Sequence, residues 1–282
     1  MILSTKKDKL AIIAGSGSLP QQVLEDSIKN GWDVHVLSFG SDLPENSKNF
    51  KIVQFKTVSL SKVINYLKYN HIKNLVMVGY INRPDNILTV LNLRYLFLLL
   101  KYFRVLNSGD SKLLTSIIRV LENKGFNVIG AHQISNNLTL KKGVYSKIKP
   151  SANDNKDILL AYKTAKIIGN LDIGQGVIVS KNRVLAVEGA EGTNLMLEKI
   201  ITINSNKKVK TGLLLKTSQN IQDKRVDLPT VGPETIHLIA KAGLKGIAIT
   251  SDDILIIKLK EVVELINSYN LFFVVMEDDL SI

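Results

Sequence analysis

Two α/β domains, the first Rossmann-like with a mostly parallel sheet, are what this sequence predicts, and three observations carry the prediction. Short apolar runs alternate with amphipathic helical stretches along the whole chain. A glycine-rich turn, Gly15-Ser16-Gly17-Ser18, stands between the first such run and the first helical pattern, which is the β-loop-α opening of a Rossmann-type unit. The alternation dissolves between Gln133 and Asp157 into Asn, Lys, Ser and Pro, then resumes. With 282 residues, 45% of them hydrophobic, two medium domains can each bury a core. The expected division is residues 1–135, a linker over 136–156, and a C-terminal domain over 157–282 that carries the candidate catalytic segment.

Taken in order, residues 9–14 read as a strand, 20–30 as a helix and 33–39 as a second strand. Residues 74–79 read as a buried strand, Asp110 as the cap of a helix over 111–124, and 126–131 as another strand. The second half opens with a helix over 157–168. A hairpin follows, with strands 176–180 and 184–188 around a Lys181-Asn182 turn. A helix opens at Gly192-Thr193, strands are expected at 213–216, 246–250, 255–259 and 271–276, and helices at 233–242 and 261–269.

The formal net charge of +12 favours anionic partners. The lysines are dispersed and no nucleic-acid-binding motif is present, so no nucleic acid is expected among the partners. There is no cysteine, which excludes disulfides, thiolate metal sites and cysteine nucleophiles. The opening MILSTKKDKL lacks the apolar core of a secretory signal, and a cytoplasmic location is expected. Residues 87–106, ILTVLNLRYLFLLLKYFRVL, form the most apolar window, but Asn92, Arg94, Lys101 and Arg104 interrupt it. That pattern suits a buried helix, or one lying on a membrane surface or lining an acyl-chain site, rather than a membrane span.

The richest chemistry lies in residues 222–235, QDKRVDLPTVGPET. Read as an extended strand, Asp223, Arg225 and Asp227 share one face and Val226 and Leu228 the other. Pro229 stops the ladder, Gly232 permits a turn, and Pro233-Glu234 has the chemistry of a helix's first turn. Two carboxylates and an arginine near a helix N-terminus suit metal and phosphate, although a solvated ion-pair face has the same composition. Gln222, Thr230 and Gly232 flank them as candidate substrate contacts, with Lys216 at the end of a strand upstream.

Further candidates stand at other strand ends. Gly15, Ser16 and Gly17 can bring backbone N–H groups to a phosphate, with Leu19 and Pro20 opening the helix behind them. Pro20 replaces the third glycine of a dinucleotide fingerprint, and the second strand ends without the acid that binds a ribose. The loop therefore suits a nucleotide or sugar-nucleotide better than NAD. Arg83 in Asn82-Arg83-Pro84-Asp85, Asp110 and His132 each follow a strand or precede a helix. Gln175 and the run Glu188-Gly189-Ala190-Glu191-Gly192-Thr193 bracket one hairpin, where Glu188 and Glu191 could meet a cation or sugar hydroxyl, and Gly192 with Thr193 an anion.

In their joint order, IAGSGSLP, NRPD, GDSKLL with GFNVIGAH, LDIGQGVIV with VLAVEGAEGT, and QDKRVDLPTVGPET with AGLKGIAI resemble the UDP-2,3-diacylglucosamine pyrophosphatase family of lipid A biosynthesis. This is the magnesium-dependent type, distinct from the calcineurin-like phosphoesterase. The resemblance implies hydrolysis of UDP-2,3-diacylglucosamine to UMP and 2,3-diacylglucosamine 1-phosphate (lipid X), with Mg2+ as cofactor and the inner-membrane surface as a peripheral contact. It implies that Asp227, in RVDLP, is the essential acid and metal ligand, with Arg225 and Asp223 beside it. Two departures stand out: Asn194 where the family has EGTD, and Gln133 where it has GAHE. A homodimer suits an α/β enzyme of this size. A non-catalytic sugar-nucleotide sensor and a Rossmann oxidoreductase are the alternative readings.

Overall fold

The computed structural model describes residues 8–39, 50–55, 59–80, 110–204, 209–219 and 223–278, with the side chains of 110–113 left aside. The apolar window 87–106, Arg83 and Gln222 lie outside the described residues. The chain divides into two compact units: Met1–Asn136 with Asp223–Asp227, and Asn137–Gln222 with Leu228–Ile282.

In the first unit the apolar runs form β1 (Lys9–Ala14), β2 (Asp33–Ser38), β3 (Phe50–Gln54), β4 (Asn74–Val78) and β5 (Asn127–Ile129). They make one sheet in the order β3-β2-β1-β4-β5, every described pairing parallel. Chain direction across the sheet reverses between β1 and β4, and ligands of open α/β sheets bind at the carboxyl edge of such a reversal. The crossovers hold α1 (Leu19–Lys29), α2 (Leu60–Tyr69) and α3 (Asp110–Asn123), and α4 (Ala131–Ile134) follows β5. β1 is buried along its length, as the continuous run LAIIA requires of a strand covered on both faces. One core joins Ala11, Ile13 and Leu75 to Val63, Ile64 and Leu67 of α2 and to Ile118 and Leu121 of α3. Val226, from the separate stretch 223–227, packs against that same core.

The second unit holds β6 (Gly143–Val144), α5 (Ala152–Asn170), β7 (Gly176–Ser180), β8 (Arg183–Val187), α6 (Gly192–Asn204) and β9 (Leu213–Lys216). It continues with β10 (Thr230–Val231), α7 (Pro233–Lys241), β11 (Gly246–Thr250), β12 (Leu255–Ile256), α8 (Leu259–Ser268) and β13 (Phe272–Met276). Six strands form a mixed sheet in the order β6-β13-β11-β9-β7-β8. β9, β11 and β13 run parallel, while β6, β7 and β8 each pair antiparallel. Residues alternate between two cores: Ile178, Leu214, Ile247 and Phe273 face α6, α7 and α8, whereas Val177, Val179, Leu215 and Val274 face Ile158, Ala161 and Ala165 of α5. The Lys181-Asn182 turn forms as expected, both residues with positive φ (52° and 59°), and the buried Asp157 carboxylate accepts both of their N–H groups.

Several elements differ from expectation. Residues 223–228 are not extended: Val226 and Asp227 both donate to the Asp223 carbonyl, closing a turn over 224–226. The segment expected as a linker supplies β6, which pairs with β13. α5 starts five residues early because Ser151 and Asp154 cap it reciprocally. The strand expected over 255–259 stops at Ile256, since Lys258 turns left-handed (φ 55°) to open α8. The strand expected over 126–131 is shortened by α4 starting at Ala131.

Candidate active site

At the end of β1 the chain turns through Gly15–Ser18 against the end of β4. Gly15 N–H donates to the Val78 carbonyl (2.9 Å) and Ser16 N–H to that of Tyr80 (2.7 Å), so these two donors serve the fold. Gly15 is required by proximity, since a Cβ there would stand 2.4 Å from the Tyr80 oxygen. Gly17 is required by conformation (φ +103°), with open space where its Cβ would be. Leu19 and Pro20 are buried, and Pro20 leans on Gly79, where a Cβ would come within 2.7 Å of its ring. What the loop offers a ligand is therefore the exposed Gly17 and Ser18 and the N–H groups of Leu19 and Gln21 in the first turn of α1, since Pro20 has none and Gln22 N–H donates to the Ser18 carbonyl.

The turn 223–227 is seated just past the carboxyl end of β5. A Cβ on Gly130 would lie 3.3 Å from the Arg225 Cα and 2.5 Å from the His132 ring, so this glycine lets turn and imidazole approach together. Within the turn, Arg225 Nε and Nη2 donate to the two Asp223 oxygens (2.9 and 2.8 Å), and the Arg225 N–H adds a third bond at 3.1 Å. Arg225 Nη1 also reaches Glu122, in the last turn of α3. These bonds hold the Asp223 carboxyl below its usual range, Arg225's hydrogen bond acting first, and push the guanidinium pKa upward. Asp223 and Arg225 are thus committed to one another, and the turn presents Asp227, half-buried, at its last position. Glu122 and Gly130 were not anticipated as parts of this site. The available signal was a glycine inside the strand expected over 126–131, where a missing side chain marks the close approach of another segment.

A second group of predicted residues meets in the second unit. Lys216, at the end of β9 and only 4% exposed, donates to Thr193 Oγ1 (2.8 Å) and to the Thr230 carbonyl (3.3 Å). Thr193 Oγ1 donates in turn to Glu188 Oε1 (2.7 Å). Burial pushes the Lys216 pKa down, and the negative charge of Glu188 opposes that shift. The carbonyl of Gln175 accepts from Thr217 N–H, next to Lys216. Gly192 opens α6 with a positive φ of 82°. Glu191 is drawn away to Lys199 (2.8 Å), whose hydrogen bond lowers its pKa. Gly232 caps α7, and Asp110 begins α3.

Fold and site together define a two-unit α/β protein in which a Rossmann-ordered sheet presents one carboxylate-bearing turn at its carboxyl edge, a design suited to phosphate esters and anhydrides. The family model of the LpxI N-terminal domain matches residues 9–138 and that of the LpxI C-terminal domain matches residues 141–274. A curated relative from Caulobacter vibrioides, named UDP-2,3-diacylglucosamine pyrophosphatase LpxI, is 31% identical over 268 residues, covering 94% of this chain and 96% of its own. The chain belongs to the LpxI family. Among solved structures, a short chain dehydrogenase from Leptospira borgpetersenii with bound NAD+ is 19% identical over 48% of this chain and 58% of its own, at a TM-score of 0.26, too low to support any inference.

Proposed function

We propose that the chain hydrolyses the diphosphate of UDP-2,3-diacylglucosamine in lipid A biosynthesis: water adds to phosphorus, the P–O–P bridge breaks, and UMP and the diacylated sugar 1-phosphate leave. The observation that carries this reading is the seating of Asp227 beside the carboxyl edge of the Rossmann-ordered sheet, in a chain similar along nearly its whole length to a protein named for that reaction. Asp227 is the acid that holds the metal or orients the attacking water. Asp223 and Arg225 fix the turn that presents it, and the N-terminus of α1 receives phosphate or nucleotide.

A magnesium ion fits these residues in one way. Both Asp223 oxygens are taken by Arg225, and no cluster of three or more acidic or histidine side chains occurs among the described residues. The ion would rest on Asp227 and on substrate phosphate oxygens, as magnesium commonly does with one or two carboxylates. When bound, it supplies charge neutralisation at phosphorus and a more acidic water. No helix among the described residues is long and apolar enough to cross a membrane. In this reading the chain works in the cytoplasm, its net charge of +12 favouring peripheral contact with anionic lipid headgroups, and a homodimer is the assembly that size exclusion with light scattering would test.

Phosphorus NMR of the protein with UDP-2,3-diacylglucosamine in detergent tests the reading. Magnesium-dependent growth of UMP and sugar 1-phosphate signals, abolished by EDTA, is expected. Asp227→Asn should slow the reaction by about 100-fold or more with an unchanged melting temperature. An intact diphosphate with ligand bound would point instead to a sugar-nucleotide sensor.

A further inference from the structure

The outward side of α5 and the edge strand β8 share one surface of the second unit that the reaction does not use. Along the helix the exposed stripe reads Lys156, Leu159, Lys163 and Ile167, with Leu171 just beyond its last turn. Spacings of three and four residues set these side chains in one row. Ile167 is 62% exposed and Leu171 66%, although both are apolar. Val184 and Val187 stand opposite Val179 and Val177, whose face α5 covers, and the register shift at Ile178 makes Leu185 an extra, bulged residue. All three stay exposed, because β8 is the edge of the sheet.

At the amino end of β9, the opposite end from Lys216, this surface opens into a cavity of about 1000 Å³ lined in part by Leu185 and by five cations. Two of these are engaged, Lys210 with the Tyr269 carbonyl and Lys245 with Asp154. The side chains of the other three, Lys156, Lys181 and Arg183, make no hydrogen bond or ion pair among the described residues, and neither does that of Lys163. Acids are scarce here. Of the three between residues 152 and 187, Asp154 and Asp157 are buried and bonded, and Asp172 lies in the turn after α5.

Unpaired cations set among exposed aliphatic side chains match the headgroup layer of an anionic membrane, where lysine stems lie along apolar surface and their ammonium groups sit among phosphates. A second copy meeting this face symmetrically would press like charges together, and the bulge spoils β8 for strand pairing. We propose that the α5–β8 face of the second unit is the surface on which the protein docks to an anionic membrane, with lipid phosphates entering the cavity at its end. The choice of lipid over an acidic protein rests on the reaction proposed above, whose substrate carries two acyl chains; the pattern of charge and apolar surface does not.

Sedimentation of the full chain with phosphatidylcholine vesicles, with and without phosphatidylglycerol, tests the proposal. Lys156→Gln/Lys163→Gln/Arg183→Gln and a control, Lys62→Gln/Lys68→Gln/Lys73→Gln in the first unit, remove the same charge, and all six side chains are exposed, so folding is not at stake. At low salt the first variant should bind phosphatidylglycerol vesicles about tenfold more weakly than the wild type, and the control less than about threefold more weakly. Because the chain has no cysteine, Ile167→Cys and Tyr69→Cys each give a single position for an environment-sensitive dye. These vesicles should shift the emission to the blue at position 167 and leave it unchanged at position 69, a side chain 85% exposed in the first unit. Equal losses in the two triple variants would overturn the proposal and reduce the contact to net charge. A dye at position 167 that stays in water would overturn it too, and give the face to an acidic protein. Vesicle binding needs no turnover, so its failure beside intact hydrolysis in detergent would strike this inference alone.

Discussion

Asp223 and Arg225 spend their charges on one another inside the turn that ends at Asp227. Their bidentate bond closes the turn from within, and the further bond to Glu122 ties it to α3. The pair has a pH signature. Arg225 holds the folded-state pKa of Asp223 below the roughly 3.9 of an unfolded chain. Above that pH the carboxylate is charged in both states and the pair contributes fully. As pH falls through the lower folded value, Asp223 takes up a proton and the contribution is lost. Asp223→Asn should therefore lower the melting temperature at pH 7, and its gap from the wild type should close below about pH 4 in a series of thermal melts. Gln133 is a further case, since its side-chain oxygen accepts the Gly130 N–H at 2.8 Å, a bond a glutamate would make equally well. This departure from the family pattern thus preserves the support beneath the acidic turn.

At the scale of elements, two glycines separated by one residue make opposite demands on the loop after β1. Gly15→Ala drives a methyl group into the Tyr80 carbonyl, and two backbone segments cannot part without breaking the β1–β4 contact. Gly17→Ala meets no neighbour and carries only the cost of a left-handed conformation, about 1–2 kcal/mol. Urea melts should show the first variant losing more than 2 kcal/mol and the second less. The elements legible in the sequence were those written in periodicity, such as β1, α1, the β7–β8 hairpin and α7. The turn 223–227 was misread because alternation of charged and apolar residues mimics a strand, while the interaction that closes it, Asp223 with Arg225, is equally available in either geometry. β6 escaped notice because two residues in a polar stretch carry no pattern; they are fixed by pairing with β13, more than a hundred residues away. The Lys216–Thr193–Glu188 chain was legible as candidates but not as a connected set, since it joins three elements whose proximity only the sheet order creates.

At the scale of the molecule, a net charge of +12 has a consequence that can be measured directly. Binding to vesicles containing phosphatidylglycerol should be detectable by sedimentation at low salt and fall steeply between about 50 and 500 mM, as screening shortens the reach of surface charge. Binding that persists at high salt would instead assign membrane contact to apolar insertion.

The five residues from Asp223 to Asp227 are made late in the chain but belong to the unit that is made first. A ribosome that has released only the first 136 residues has built the Rossmann-type sheet without its Val226 plug or its acidic turn, and must wait for most of the remainder before either arrives. Any gene fusion that exchanged the front half of this protein for that of a distant cousin would deliver a foreign plug to an unfamiliar socket. A cut near residue 137 would therefore not separate the chain into its two units, because the first unit draws five of its residues from beyond it.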